Sequence, residues 1–164
     1  MIRRAWRHVF SPSVSRTFPP ATLQAITDAI AQGEQRHGGQ VMFAVEADLP
    51  LAALWQGVTP RQAAERAFAH LRTWDTASNN GVLIYLLLAD HAIEIVADRG
   101  LRPHVPDERW QAICMQLRDG LRGSEPAVAL RAAIADVSGL LAAHFPPSSA
   151  GDDDALPNVP QILG

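Results

Sequence analysis

The stretch Trp74-Asp75-Thr76-Ala77-Ser78-Asn79-Asn80-Gly81-Val82-Leu83-Ile84-Tyr85-Leu86-Leu87-Leu88 decides the fold. Its first half is polar and rich in side-chain oxygen. Its second half is an unbroken apolar run, bounded by Gly81 on one side and Asp90-His91 on the other. Such a run reads as a strand buried on both faces. The polar loop therefore lies at the end of a central strand, where a rigid scaffold holds side chains in place. That makes the loop a candidate site.

Upstream, Gln40 to Glu46 reads as another strand, and Asp48-Leu49-Pro50 ends it. A loop is expected up to Val58. Thr59-Pro60 then supplies a hydroxyl N-cap followed by proline at the first helical position. Ala64, Ala67, Phe68 and Leu71 share one face of the resulting helix. Strand, helix, strand are the ingredients of a right-handed parallel crossover. Downstream, His91 to Asp98 reads as a third strand. It is so close to the second that it must return antiparallel. Ile93, Ile95 and Ala97 share one face, and Glu94 and Val96 the other.

Pro19-Pro20 open an earlier helix with Leu23, Ile26 and Ile30 on its apolar side, broken by His37-Gly38-Gly39. Pro106-Asp107-Glu108 open a later one, with Trp110, Ile113, Cys114, Leu117 and Leu121 at helical spacing. Ser124-Glu125-Pro126 start the last, whose stripe is Leu130, Ile134, Val137 and Leu141; Phe145-Pro146-Pro147 stop it. The expected class is α/β: a three-layer α/β/α sandwich with a small mixed sheet flanked by about four helices.

The expected organisation is a basic leader over 1–18, one domain over 19–146, and a disordered acidic, proline-containing tail over 147–164. Arg3, Arg4 and Arg7 with Trp6, Val9 and Phe10 make the leader either a poorly packed segment or one that touches anionic lipid. The tail carries Asp152-Asp153-Asp154 and then the apolar Leu156, Val159, Ile162 and Leu163. The eight residues from Leu156 to Leu163 could also fold back on their own domain or dock on a partner.

The totals narrow the classes. The chain has 164 residues, 48% hydrophobic and 19% charged, with net charge −3. This fits a globular domain without a general pull towards nucleic acid. A single cysteine, Cys114, excludes an internal disulfide framework. It lies in an apolar helix stripe, which makes it an inert thiol. The longest apolar run, Val82 to Ala89, is far shorter than the roughly 20 residues of a spanning helix. With no apolar stretch behind the basic N-terminus, a cytoplasmic location is expected. Neither a nucleophile-elbow pattern nor a glycine-rich phosphate loop occurs.

Parallel first and second strands begin at the same sheet edge, and an antiparallel third strand ends there. That edge should collect His37, Asp75, Asn79, Asn80, Asp98 and Arg99, with His104 and Asp107 close by. Carboxylates and amide oxygens suit a hard cation such as Ca²⁺ or Mg²⁺; the imidazoles leave Mn²⁺ or Zn²⁺ open. The spacing is not that of an EF-hand. Asp75, Asn79, Asn80, Asp98 and Asp107 are the candidate ligands; Arg99, His37 and His104 could hold a phosphate or other ligand. Each residue also has a structural reading: Asp75 as a turn residue, Asn79-Asn80-Gly81 for left-handed backbone, Asp107 as a helix-start acid. The opposite edge carries Glu46, Asp48, Asp90 and His91, a weaker candidate. His8, His70 and His144 read as surface histidines.

His37 to Phe43, then Trp74 to Leu88 with its Asn-Asn-Gly-Val-Leu-Ile core, then Ile93 to Leu101, resemble the TPM domain in the right order. The resemblance spans roughly residues 20 to 145 and implies an α/β/α sandwich. It also implies divalent-metal binding and acid-phosphatase-like activity, with Asn80-Gly81, Asp98-Arg99-Gly100 and Asp107 in the family's polar cleft. Many members carry a signal peptide and a C-terminal membrane anchor, and this sequence resembles the short bacterial type without them. Two functions are thus expected. One is a metal-binding TPM domain with weak phosphomonoesterase activity, acting through a metal-bound water. The other is a non-enzymatic accessory module for a membrane-associated protein partner.

Overall fold

The structure is a computed structural model and describes residues 2–123, 125–147 and 156–164. The central element is the strand pair β1 (Gln40–Glu46) and β2 (Gly81–Leu87), parallel and in register from Gln40↔Gly81 to Glu46↔Leu87. All of β2, and all of β1 except Glu46, is buried. Gly81 opens β2 for a steric reason: a Cβ there would lie 1.8 Å from the Thr73 carbonyl oxygen. β3 (Ala92–Ala97) returns antiparallel on the far side of β2. The mixed sheet runs β3-β2-β1-β4, with β4 formed by Gln161–Leu163.

Strand alternation divides the core in two. Val41, Phe43, Val45, Val82, Ile84, Leu86 and Ile95 face one layer, made by α2 (Val14–Thr17), α3 (Pro20–Glu34), α6 (Asp107–Leu121) and α7 (Pro126–His144). Met42, Ala44, Leu83, Tyr85, Leu87 and Val96 face the other, made by α4 (Leu51–Trp55) and α5 (Pro60–His70). The expected sandwich is therefore present. α5 begins with a reciprocal cap: Gln62 N donates to Thr59 Oγ1 at 3.2 Å, and Thr59 N donates to Gln62 Oε1 at 3.0 Å. By length and composition alone α7 could cross a membrane, but its stripe Leu130, Ile134, Val137 and Leu141 is buried in the sandwich core.

The ends of the chain depart from expectation. Seven α-helices, rather than about four, occur among the described residues. The additional ones are α1 (Ile2–Val9), α2 and α4. α4 is a five-residue turn of helix in the expected loop, anchored by buried Leu54. The leader is docked by polar bonds. Arg4 grips Asp90 through Nε at 2.9 Å and Nη2 at 2.7 Å, and Ser11 Oγ donates to Asp48 at 2.8 Å. His8, expected at the surface, is buried; its Nδ1 accepts from Leu49 N at 2.9 Å and its Nε2 lies 3.3 Å from Asp90 Oδ1. Val14 and Phe18 enter the main core.

The disordered tail is likewise corrected for residues 156–164. β4 pairs parallel with β1 through Ala44↔Gln161 to Glu46↔Leu163. Leu156 N donates to Gln40 Oε1 at 2.9 Å, and Leu156 and Leu163 pack on the α5-side core. An open β1 edge would leave a central strand's peptide groups exposed, and the tail covers it. The acidic triplet Asp152-Asp153-Asp154 lies outside the described residues.

Two stability predictions follow from these contacts. Deleting residues 156–164 removes an edge ladder and two half-buried leucines and should cost about 2–3 kcal/mol, seen as a lower urea midpoint. Burial pushes the Asp90 carboxyl up, but the bond and charge of Arg4, aided by His8, hold it below its ordinary value. A depressed carboxylate stabilises the fold above its unfolded pKa of roughly 4 and loses that contribution as pH falls through the folded value. Acid should therefore release α1 first. An Asp90→Asn variant should lose that pH dependence, as read by amide exchange along residues 3–10.

Candidate functional site

The β1/β2 start edge does collect polar residues, held there by local backbone. Asn79 takes a left-handed conformation, φ 51°, which asparagine tolerates. This turns the loop into β2 and presents Asn79 to the turn after β3. Arg99 Nε donates to Asn79 Oδ1 at 2.9 Å, and Gly100 N donates to the Asn79 carbonyl at 2.9 Å. Gly100 is required there, since a Cβ would lie 2.6 Å from the carbonyl oxygens of both Ser78 and Asn79. Asp98 caps the 3₁₀ turn Arg99–Leu101, its Oδ1 accepting from Arg99 N at 2.7 Å. Asn80 is buried: its Nδ2 donates to Gly38 O at 3.0 Å, and its backbone N donates to Thr76 Oγ1 at 3.0 Å.

Asn79, Asn80, Asp98 and Arg99 thus meet, as the topology requires. The other four expected residues stand apart from that knot of bonds. Asp75 is exposed and ion-paired with Arg72. His37 is buried, its Nδ1 3.0 Å from Gly39 O, and burial lowers its pKa. It braces the turn between α3 and β1, and its Nε2 is buried without a hydrogen-bond partner. His104 stacks on His144 at 4.9 Å and meets the edge of Phe145 at 5.8 Å. Asp107 lies in the first turn of α6, exposed.

As a five-residue cation shell, the set does not fit. Among the described residues no three His, Cys, Asp or Glu side chains are grouped to hold a metal ion. Asp75 already has a cation partner, Asn79 Oδ1 faces the Arg99 guanidinium, and the Asn80 side chain is buried and oriented by its Nδ2 bond to Gly38. One oxygen is different: Asp98 Oδ2 is buried without a hydrogen-bond partner. At the opposite edge, Asp90 is consumed by Arg4, and Glu46 accepts a bond from Tyr85 Oη. Burial raises the Glu46 carboxyl above its usual range, although Tyr85 pulls it down.

One concavity was not anticipated. A cleft of about 950 Å³ runs along the outer edge of β3, between that strand and α6. Arg61, Arg102 and Arg118 line it with Glu94, Asp107, Trp110 and Met115. Arg61 Nη1 donates to Ile95 O at 2.7 Å and sits 3.8 Å from Glu94. Since Ile95 directs its carbonyl outward, the alternation of an antiparallel ladder points the peptide groups of Ile93 and Ala97 outward too. Cys114 is on the floor; burial, then the charge of Glu94, pushes its thiol up to about 11. This agrees with an inert thiol. The sequence signal for the cleft was Glu94 on one face of β3, but its arginines come from three separate segments.

The knot's bonds are unequal. Asn80→Ala should cost about 1–3 kcal/mol because it strands the Gly38 carbonyl. Arg99→Ala, at an exposed bond, should cost about 1 kcal/mol or less. Chemical denaturation of the two variants checks the order.

Comparison with known proteins places this geometry. A family model described as the TPM domain matches residues 14–140. The solution structure of the BA42 protein from the psychrophilic bacterium Bizionia argentinensis is similar in fold, with TM-score 0.74 at 24% identity, over 92% of this chain and 99% of that one. No curated protein matches the chain.

Proposed function

The chain belongs to the TPM domain family, and from that premise we propose that it is a non-enzymatic interaction module that takes an extended, acidic segment of a protein partner, itself membrane-associated. One observation carries the reading: a cleft of about 950 Å³ follows a sheet edge and is lined by three arginines against two acids, Glu94 and Asp107. An extended peptide laid along β3 would gain main-chain bonds from Ile93 and Ala97 and side-chain selection from alternate positions. Arg102 and Arg118 would favour Asp or Glu on the incoming strand. Trp110 and Met115 would take its apolar side chains. The polar knot at the other end of β3 then has a mechanical role. By tying Asn79 to Arg99 and Asn80 to Gly38, it fixes the end of the strand on which the peptide would lie.

Panning a random-peptide library against the chain should enrich acidic extended sequences. Their binding should shift the amides of Ala92–Ala97 and weaken at least tenfold in Arg102→Glu/Arg118→Glu. Binders that leave those amides unmoved would sink the reading.

A second reading has its own observation, the unpartnered Asp98 Oδ2. A buried acceptor without a donor is the kind of atom a cation or water satisfies. Asp98 would hold a divalent ion, Ca²⁺ or Mg²⁺ before Mn²⁺ or Zn²⁺, with water completing most of the shell. Weak phosphomonoesterase activity would further need Arg99 to leave Asn79 and orient the phosphate. Titrating each ion while following the amides of Ser78–Gly81 and Asp98 tests the binding. Turnover of a generic aryl phosphate that vanishes in Asp98→Asn would favour the enzyme; ion-independent silence would favour the module.

A further inference from the structure

Helix α1 is inverted relative to an ordinary surface helix. Arg4 and His8, at i and i+4, face the protein with Ser11 just beyond the helix end, and they bond to Asp90, Leu49 N and Asp48. Arg3, Trp6, Arg7 and Phe10, at i, i+3, i+4 and i+7, face outward and are exposed. Trp6 is 61% exposed and Phe10 70%, and their rings stack on each other 5.3 Å apart rather than on the core. Beside α1, α4 adds Trp55 at 78% and Leu51 at 52%. Large apolar side chains held out in water by a polar inner face are costly unless something covers them.

We infer that this face rests on an anionic phospholipid surface. Charge selects that occupant. The chain carries net charge −3, yet α1 holds Arg3, Arg4 and Arg7 with no acid. Arg4 is spent on Asp90, and Arg7 reaches the same carboxylate by a longer bond of 3.4 Å while staying half exposed, so Arg3 and the outer half of Arg7 supply the positive charge beside Trp6 and Phe10. Aromatic side chains sit at the headgroup boundary while arginines engage lipid phosphates and carboxylates. Two short helices lying side by side give a shallow, adsorbed contact, unlike a spanning one. The inner polar bonds fix the orientation of α1, so its outer face is formed before the membrane is met.

Vesicle flotation of the full chain tests this. It should float with vesicles of phosphatidylcholine mixed with phosphatidylserine at low salt, and lose most of that binding with phosphatidylcholine alone or at high salt. Arg3→Glu/Arg7→Glu should weaken binding by more than the roughly twenty-five-fold expected from losing two arginines. Trp6→Ala/Phe10→Ala should also weaken it, with unchanged circular dichroism. In a Trp6→Phe variant, part of the membrane-induced blue shift of tryptophan emission should disappear while binding persists. Failure to float with the anionic vesicles, or full binding by the Arg3→Glu/Arg7→Glu variant, would overturn the inference. So would a concentration-dependent dimer that Trp6→Ala/Phe10→Ala dissolves, which would assign the face to a second copy of the chain.

Discussion

The parallel pairing of β1 with β2 is the constraint on which everything else rests. Two adjacent strands buried on both faces cannot stand alone, because each face needs its own apolar cover. That requirement puts α3, α6 and α7 on one side and α4 and α5 on the other. It also forces the crossover through α5, and hence brings the starts of both strands, with Asn80 and Gly38, to one edge. The polar knot is a consequence of topology before it is anything else.

The same constraint explains what could be read in advance. Runs such as Val82–Leu88 and helix stripes such as Trp110, Ile113 and Leu117 carry periodicity over many residues, so strand and helix types, pairing directions and the two-faced core were legible. The convergence of Asn79, Asn80, Asp98 and Arg99 was legible too, because it follows from strand direction alone. What each of those side chains does there was not. Whether Asn79 offers its oxygen to a cation or to Arg99 depends on rotamers and a few ångströms, and sequence spacing fixes neither. His37 shows the limit: adjacency to β1 put it at the right edge, while its ring turned into the core.

The termini failed for another reason. Their stability comes from partners distant in sequence rather than from local pattern. Arg4 finds Asp90, and Gln40 finds Leu156 N. Composition made residues 156–164 look unstructured, since proline prevents a helix and the tail from Pro147 onwards is rich in Pro, Ser, Gly and Asp. Yet a strand needs only an edge to pair with, and β1 had one. In α1 a cue was present but easily missed: Arg4 and His8 stand one helical turn apart, opposite the apolar Trp6, which marks a helix that buries its polar side.

The two sheet edges are closed by opposite means, and this separates structure from function. β4 seals β1 along three residues with a full ladder and two apolar anchors. β3 is shielded only at its middle, where Arg61 takes the Ile95 carbonyl. A guanidinium on a flexible stem can be displaced at small cost, because an exposed charge regains water when it leaves. A strand packed by Leu156 and Leu163 cannot leave without exposing apolar surface. The weakly guarded edge is also the one beside the large cleft and its arginines. Asymmetric closure therefore leaves β1 held by apolar packing through β4, and β3 held at its outer edge by a charged side chain.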